Sequence, residues 1–224
     1  YYAQTQWLVA PLKHPNLRAI IPQHMNPDMW ECAYWNHGAL NLAMTMGGRM
    51  AAKHQSWEEL MHHLPLIDMD VAAQGEPSSM WRDYISNARA KGFWDRISIR
   101  DFDQIDVPVY LMSGWYDYYT DAAARAFRTL RNARKPRDVR LVVDPSNHVR
   151  KIRGDRDFGP DPLKPEVELA VRWLDWVVKG IDTGLSEEPP VRVFAMGVNE
   201  WWDEEDWPPP RTKKTHLYLS NADG

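Results

Sequence analysis

Two stretches of this chain end on a lone ionisable residue after a short apolar run. One is Leu111-Met112-Ser113-Gly114-Trp115-Tyr116-Asp117; the other is Val142-Val143-Asp144-Pro145-Ser146-Asn147-His148. A carboxylate and an imidazole at successive strand ends suit acyl transfer by a hydroxyl nucleophile. The imidazole takes the hydroxyl proton, and the carboxylate orients the imidazole and stabilises the charge it acquires. Parallel strands that stop at one sheet edge gather such groups side by side. The competing reading makes Asp117 a helix cap and His148 an ordinary loop residue, and spacing alone does not separate the two. The nucleophile itself is missing from the pattern: Ser78-Ser79 and Ser113 lack the strand-turn-helix context of an exposed catalytic serine.

Other chemistry has less support. His62-His63 with Asp68 and Asp70 could suggest a metal, but adjacent histidines on a helix face different ways and no HExxH-type spacing follows. Neither a metal nor a cofactor is expected. Cys32 is the single cysteine, which excludes an internal disulfide and a thiolate zinc cluster without fixing the compartment; a cytoplasmic setting is the default. The net charge is -4 with both signs interspersed, so the basic footprint of a nucleic-acid binder is missing. Apolar runs fall far short of the roughly 20 residues that cross a bilayer, so no membrane partner is expected. The 12 Trp and 9 Tyr fit a dense core, and they also suit a pocket for an apolar or aromatic group.

The elements that position Asp117 and His148 follow from periodicity. Residues 1–10 read as a buried helix ended by Pro11, and Leu17-Arg18-Ala19-Ile20-Ile21-Pro22 as a short strand stopped by proline. From 26 to 102 the chain is rich in Met, Trp and His and lacks β-branched runs. Leu40, Met44 and Met46-Gly47 suggest a helix there, Ser56 with Glu59 forms a capping-box pattern, and Trp81, Tyr84, Ile85 and Ala88 share a helix face. This stretch is expected to be a helical cap inserted into the sheet domain. Asp106 to Met112 and Asp138 to Val143 read as strands, joined by a helix from Ala122 to Leu130 that Thr120 or Asp121 can cap. Val167, Ala170, Val171, Leu174, Val177 and Val178 recur at helical spacing before Gly180, predicting a helix packed on the sheet. Val191 to Met196 reads as a strand, Trp201 to Pro210 as an acidic loop, and His216 to Leu219 as a short strand. The fold class is thus α/β.

The residues in these segments also carry a family resemblance. Ser113-Gly114-Trp115-Tyr116-Asp117 resembles the Gly-Gly-Trp-Tyr-Asp signature of the cocaine esterase and X-prolyl dipeptidyl-peptidase family of α/β-hydrolases. The run Val191 to Trp201, continuing to Asp206-Trp207-Pro208, is similar to the start of that family's C-terminal β jelly roll. Tyr1-Tyr2-Ala3-Gln4-Thr5-Gln6-Trp7 is similar to the part of its nucleophile elbow that follows the serine, and Gly38-Ala39-Leu40 to a Gly-Gly-Ala-Leu stretch of its cap. The resemblance runs nearly end to end.

It implies an α/β-hydrolase sheet in residues 1–25 and 103–185, a helical cap in 26–102, and the start of a jelly-roll domain in 186–224. Asp117 becomes the orienting acid and His148 the general base of an esterase, amidase or dipeptidyl-peptidase triad. The nucleophilic serine falls one residue before Tyr1, whose backbone N–H donates to the oxyanion hole. Tyr34, Trp35 and Tyr119 are the candidates for the acyl pocket, with packing the equally good alternative for each. A small ester or amide, or a short peptide, is the implied substrate. Asp68, Asp70 and Glu76 are available to hold a peptide's ammonium group. An acyl transferase, a hydrolase-like binding module that has lost its chemistry, and a homodimer stay open. Three departures point to a divergent branch: Ala3 and Ser113 stand where the family has Gly, and the segment ending at His148 lacks the family's Trp. The 224-residue chain alone is expected to hydrolyse nothing; ester hydrolysis that disappears in His148→Ala would overturn that.

Overall fold

The computed structural model describes residues 2–25, 27–46, 56–134, 137–152 and 154–218. Helix α1, Tyr2–Val9, passes into a 3-10 turn, Ala10–Leu12, that accommodates Pro11 in its first turn and is closed by Lys13 at φ 52°. Its Trp7 and Ala10 enter the main core beside Ile20, Ile105, Val109 and Phe127. Ala3 is buried within the helix, so its methyl is accommodated there.

The strand expected to stop at Pro22 does not stop there. Ile20 N–H donates to Pro108 O (3.0 Å), Tyr110 N–H to Ile20 O (3.0 Å), Met112 N–H to Pro22 O (3.3 Å) and His24 N–H to Met112 O (2.9 Å). Pro22 has no N–H for the bond that would fall between the first and last of these, so the ladder survives as bridges Ile20–Val109 and Gln23–Met112. The run from Ile20 to His24 therefore lies parallel to the strand that begins at Val109.

Between 27 and 102 the described residues contain no strand. A π-helical turn, Trp30–Tyr34, precedes helices α2 (Leu42–Met46), α3 (Trp57–Met61), α4 (Met69–Gln74) and α5 (Ser79–Ser86). The capping box at α3 is formed: Ser56 N–H donates to Glu59 Oε2 at 2.8 Å and Glu59 N–H to Ser56 Oγ at 3.2 Å. Gly47, read with α2, lies outside the described residues, and Ala88 lies beyond the end of α5. Short helices have little stability of their own. Two clusters hold these together, Met46, Leu60, Met69, Ala73 and Trp81 in one, and Met29, Ala33, Tyr34, Tyr84, Trp94 and Tyr119 in the other.

The sheet proper runs β1 (Val109–Tyr116), β2 (Val139–Asn147), β3 (Val191–Ala195) and β4 (Glu200–Glu204) in that spatial order, the first three parallel and β4 antiparallel to β3. β1 from Val109 to Gly114 and all of β2 are buried, as expected for strands covered on both faces. Helix α6, Thr120–Arg131, crosses from β1 to β2 and buries Ala122, Ala123, Ala126, Phe127 and Leu130. Tyr119 occupies its cap position; neither Thr120 nor Asp121 does, because the Thr120 hydroxyl turns inward to the Gly114 and Asp117 carbonyls. Helix α7, Glu166–Lys179, crosses from β2 to β3 and ends at Gly180, φ 70°. Its packed face centres on Trp173, fully buried, with the indole N–H donating to Asp138 Oδ2 at 2.7 Å, while Val167 and Val171 are exposed. The tryptophan, with more area to bury than a valine, sets the face.

Trp201 to Glu204, expected in a loop, belong to β4. Cross-strand pairs fix it: Arg192 forks onto Asp203 (2.6 and 2.8 Å), and Phe194 packs edge-on to Trp201. Residues 216–218 form no strand, and Leu219 lies outside the described residues.

Gly114 marks the closest approach of β1 to β2, at a register shift between Gly114 and Tyr116. A Cβ there would overlap the carbonyl oxygen and hydroxyl of Ser146 and sit 2.8 Å from its carbonyl carbon. Ser113, by contrast, has room, and its hydroxyl pairs with the Thr120 hydroxyl at 3.1 Å. Gly114→Ala should lower stability by roughly 1–3 kcal/mol, since backbone must move, whereas Ser113→Gly should lower it by no more than about 1 kcal/mol. Urea unfolding midpoints measure both.

Candidate active site

Three ionisable side chains stand at the carboxyl ends of three adjacent parallel runs. His24 ends the run beside β1, Asp117 follows β1, and His148 follows β2. This edge of an open α/β sheet is where the loops leave a crevice. The loops here place the side chains tightly.

Asp117 is buried and its carboxylate is fully engaged. Oδ1 accepts from His148 Nδ1 at 3.1 Å and from Tyr119 N–H at 3.2 Å; Oδ2 accepts from His24 Nδ1 at 2.6 Å. The bond to Tyr119 N–H, with Asp117 N–H donating to Gly114 O at 2.8 Å, also shapes the turn that starts α6. The capping and chemical readings of Asp117 therefore coexist in one side chain. Burial pushes its carboxyl pKa up, but the hydrogen bonds from His148 and His24 outweigh that and hold it below the usual carboxylate range.

His148 is set by its neighbour. The Asn147 side-chain oxygen accepts from Val149 N–H (3.1 Å) and Lys151 N–H (3.0 Å), and Arg150 turns back at φ 54°. These bonds build the His148 turn without the tryptophan that the resembled family carries there. The imidazole is about half exposed, with the Tyr119 ring edge-on at 5.5 Å and the His24 ring at 6.0 Å. A carboxylate only accepts, so Nδ1 carries the proton and Nε2 keeps a lone pair for an incoming hydroxyl. Among the described residues Asp117 is the one hydrogen-bond partner of this ring.

His24 escaped the reading of the sequence. It takes the left-handed conformation, φ 50°, and its Nε2 lies 3.3 Å from Glu166 Oε1 at the start of α7. Glu166 also pairs with Arg150 Nη1 at 3.0 Å, and Arg150 Nη2 with Asp144 Oδ2 at 2.7 Å. Burial opposes a charge on His24, yet the hydrogen bonds to Asp117 and Glu166 prevail and raise its pKa from 6.5 to about 9. Glu166 is likewise held low, its own burial outweighed by His24 and Arg150. The sequence did carry a signal for it: Ile20-Ile21-Pro22-Gln23-His24 has the same layout as the other two stretches, an apolar run ending on one ionisable residue.

The ring and carboxylate atoms of His24, Asp117 and His148 lie within 4.8 Å of one another, the spacing of a possible metal group. Their contacts of 2.6 and 3.1 Å are hydrogen bonds, and a His24 protonated up to about pH 9 repels a cation, so the set fits proton sharing better than metal binding. Near His62 and His63 the two carboxylates are taken: Arg82 pairs with Asp70 at 3.0 Å and with Asp68 at 3.5 Å.

Of the pocket candidates, Tyr119 lies against His148. Tyr34 is buried in the cap cluster, 5.5 Å from the Trp94 ring and 4.5 Å from Tyr84, and the Trp35 indole N–H donates to Tyr84 O at 3.0 Å. Both belong to the packing around Tyr119, which is a member of the same cluster. Tyr1 lies outside the described residues. Ser113 is buried against Thr120, and Ser78 caps α5 by accepting from Trp81 N–H, so each has a structural use.

Comparison with known proteins agrees with this architecture. Residues 183–224 match the X-Pro dipeptidyl-peptidase C-terminal non-catalytic domain. Cocaine esterase of Rhodococcus is 25% identical over 99% of the chain, which spans 43% of that protein's length. An aminopeptidase structure from a marine-sediment Thaumarchaeota archaeon superposes with TM-score 0.68 at 18% identity, covering 92% of this chain and 38% of its own. A CocE/NonD family hydrolase from Staphylococcus aureus gives TM-score 0.59 at 18% identity, covering 97% and 35%. These likenesses establish an α/β-hydrolase fold. The X-Pro dipeptidyl-peptidase (S15) family matches residues 1–150, two-thirds of the chain and all three strand ends of the site, and the chain belongs to that family.

Proposed function

We propose that the protein is a serine hydrolase that cleaves an ester or amide bond through an acyl-enzyme, with Asp117 as orienting acid and His148 as general base. The observation that carries this reading is the His148 Nδ1 to Asp117 Oδ1 bond of 3.1 Å on a half-exposed imidazole whose Nε2 has no hydrogen-bond partner among the described residues. The serine is the residue before Tyr1, as the elbow-like run Tyr1 to Trp7 implies, and the Tyr1 N–H is one oxyanion donor.

In the first step the serine Oγ attacks the substrate carbonyl carbon while His148 Nε2 takes the hydroxyl proton. The tetrahedral oxyanion collapses, the bond to the leaving group breaks, and His148 returns the proton to that group. Water then repeats the sequence on the acyl-enzyme, with its proton passing through the same nitrogen and the carboxylic acid as product. Asp117 stays ionised throughout and balances the imidazolium. Oxyanion donors lower such a barrier by roughly 3–4 kcal/mol each.

The domain division follows the same reading: core in 1–25 and 103–185, cap in 26–102, and the start of a C-terminal β-domain in 186–224. Tyr119 links cap to acid, which supports a pocket for the acyl group formed by Tyr119 with Tyr34 and Trp35 behind it. A small ester is favoured over a dipeptide. Two of the three carboxylates that could have held a peptide ammonium, Asp68 and Asp70, are neutralised by Arg82.

A fluorophosphonate probe should label full-length protein on the residue preceding Tyr1; no labelling, or labelling of Ser78, Ser79 or Ser113, would sink the proposal. In Asp117→Asn the amide would leave His148 in the wrong tautomer, and kcat on an aryl ester should fall on the order of 10⁴-fold. Turnover of aminoacyl-prolyl amides in preference to aryl esters would reverse the choice of substrate.

A further inference from the structure

We propose that His24 is a positioning residue for this site: as an imidazolium clamped between Asp117 and Glu166, it holds Asp117 ionised and correctly turned toward His148. The proposal rests on the serine-hydrolase reading above and extends it to a residue outside the triad.

The charge follows from donor counting. His24 Nδ1 is 2.6 Å from Asp117 Oδ2 and Nε2 is 3.3 Å from Glu166 Oε1. Both carboxylates accept and neither donates. A neutral imidazole has one N–H and would turn its lone pair on one of the two; only the doubly protonated ring satisfies both. The surroundings are dry enough for this to matter: the His24 side chain is 10% exposed and that of Asp117 0%. Unpaired charge at such a position is strongly unfavourable. The direction of the His24 shift agrees, with protonation retained to about pH 9.

The groups facing this pair complete an alternating chain. From the β1 end comes Asp117, from α7 Glu166, from the loop after β2 Arg150, which reaches back to Asp144 on β2. With His24 charged, the order is minus, plus, minus, plus, minus. His148 faces the same ring edge-to-face at 6.0 Å and shares the carboxylate. Of the two imidazoles on Asp117, His24 holds the shorter bond, 2.6 Å against 3.1 Å. His24 thus fixes the plane of the carboxylate and balances part of its negative charge, which keeps Oδ1 aimed at His148.

The test uses full-length protein with an aryl ester, and three variants. In His24→Leu both carboxylates lose a donor, and kcat should fall roughly 10–100-fold with KM changed by no more than about 2-fold, because both His24 ring nitrogens are taken up by carboxylates. His24→Asn keeps an amide N–H for Oδ2 and removes the charge. It should recover most of kcat at pH 7 and remove the alkaline fall in activity that deprotonation of His24 causes near pH 9 in wild type. Glu166→Gln should leave activity at pH 7 within about 3-fold and bring in an alkaline loss of activity at lower pH than in wild type.

Two readouts do not need turnover. A group whose pKa rises on folding stabilises fully below its unfolded value, about 6.5, and the gain is lost as pH climbs through about 9. Wild type should therefore lose more Tm than His24→Asn between pH 7 and pH 10. The His24 imidazole signals in NMR should still be those of the charged ring at pH 8. A neutral His24 at pH 8, or a His24→Asn pH profile that coincides with wild type, would overturn the proposal even if the enzyme is active. A wild-type protein that hydrolyses no ester and takes no fluorophosphonate would overturn the hydrolase reading, and the positioning role with it, while the NMR result would still report the charge.

Discussion

A carboxylate withdrawn from water keeps its charge only if donors surround it, and Asp117 recruits them from three parts of the chain. His148 arrives from the end of β2, the Tyr119 N–H from the first turn toward α6, and His24 from the run beside β1. Take any one away and a buried lone pair is left facing nothing, a loss of about 1–3 kcal/mol that compact side chains nearby cannot offset. The local backbone is arranged around that requirement. Gly114 gives β1 the close approach to Ser146, the Thr120 hydroxyl secures the Gly114 and Asp117 carbonyls, and the Asn147 carboxamide folds the His148 turn. The site is thus a consequence of strand geometry more than of any one loop.

That geometry also ties the cap to the sheet edge. Tyr119 follows the acid by two residues, packs in the Tyr34–Tyr84–Trp94 cluster, and sets its ring against His148. Helices of five to eight residues could not hold a fixed position alone; α5 gains one through Tyr84 in this cluster, and α3 and α4 through the separate cluster of Met46, Leu60, Met69, Ala73 and Trp81. On the opposite side, Glu166 opens α7 directly beneath His24, so the crossover helix that carries the chain to β3 also supplies a charge to the site.

The places of Asp117 and His148 at strand ends were legible in the sequence because each closes a short apolar run, whereas spacing alone did not separate a catalytic role from a cap or loop role. The parallel order and the helical character of 27–102 were legible for the same reason, periodicity. His24 was not, because Pro22 reads as a stop. In the folded chain the proline removes one ladder bond and leaves its neighbours on either side intact, which only the partner strand reveals. β4 was hidden in a similar way: Glu200 to Glu204 is acidic and Trp-rich, and its strand character comes from Arg192 and Phe194 across the ladder. The packed face of α7 was read in part: Ala170, Leu174 and Val177 pack as their spacing predicts, while Trp173 takes the centre and turns Val167 and Val171 outward. Tyr34 and Trp35 pack in the same cluster as Tyr119, and it is Tyr119 that meets His148, a division of roles that sequence spacing does not reveal.

The sheet has a further consequence at its far edge. The C-terminal family match begins at residue 183, yet β3 at 191–195 is hydrogen-bonded to β2 and β4 to β3. A common ladder joins the two matched segments, although residues 151–182, with α7 among them, lie between the matches. Exchange of the C-terminal module between relatives would carry off two strands and strip β2 of one of its two neighbours, opening a long buried strand to pairing with other chains. The sheet that carries Asp117 and His148 is thus completed by strands of the C-terminal match, so a change at that far edge reaches the strand that ends beside His148.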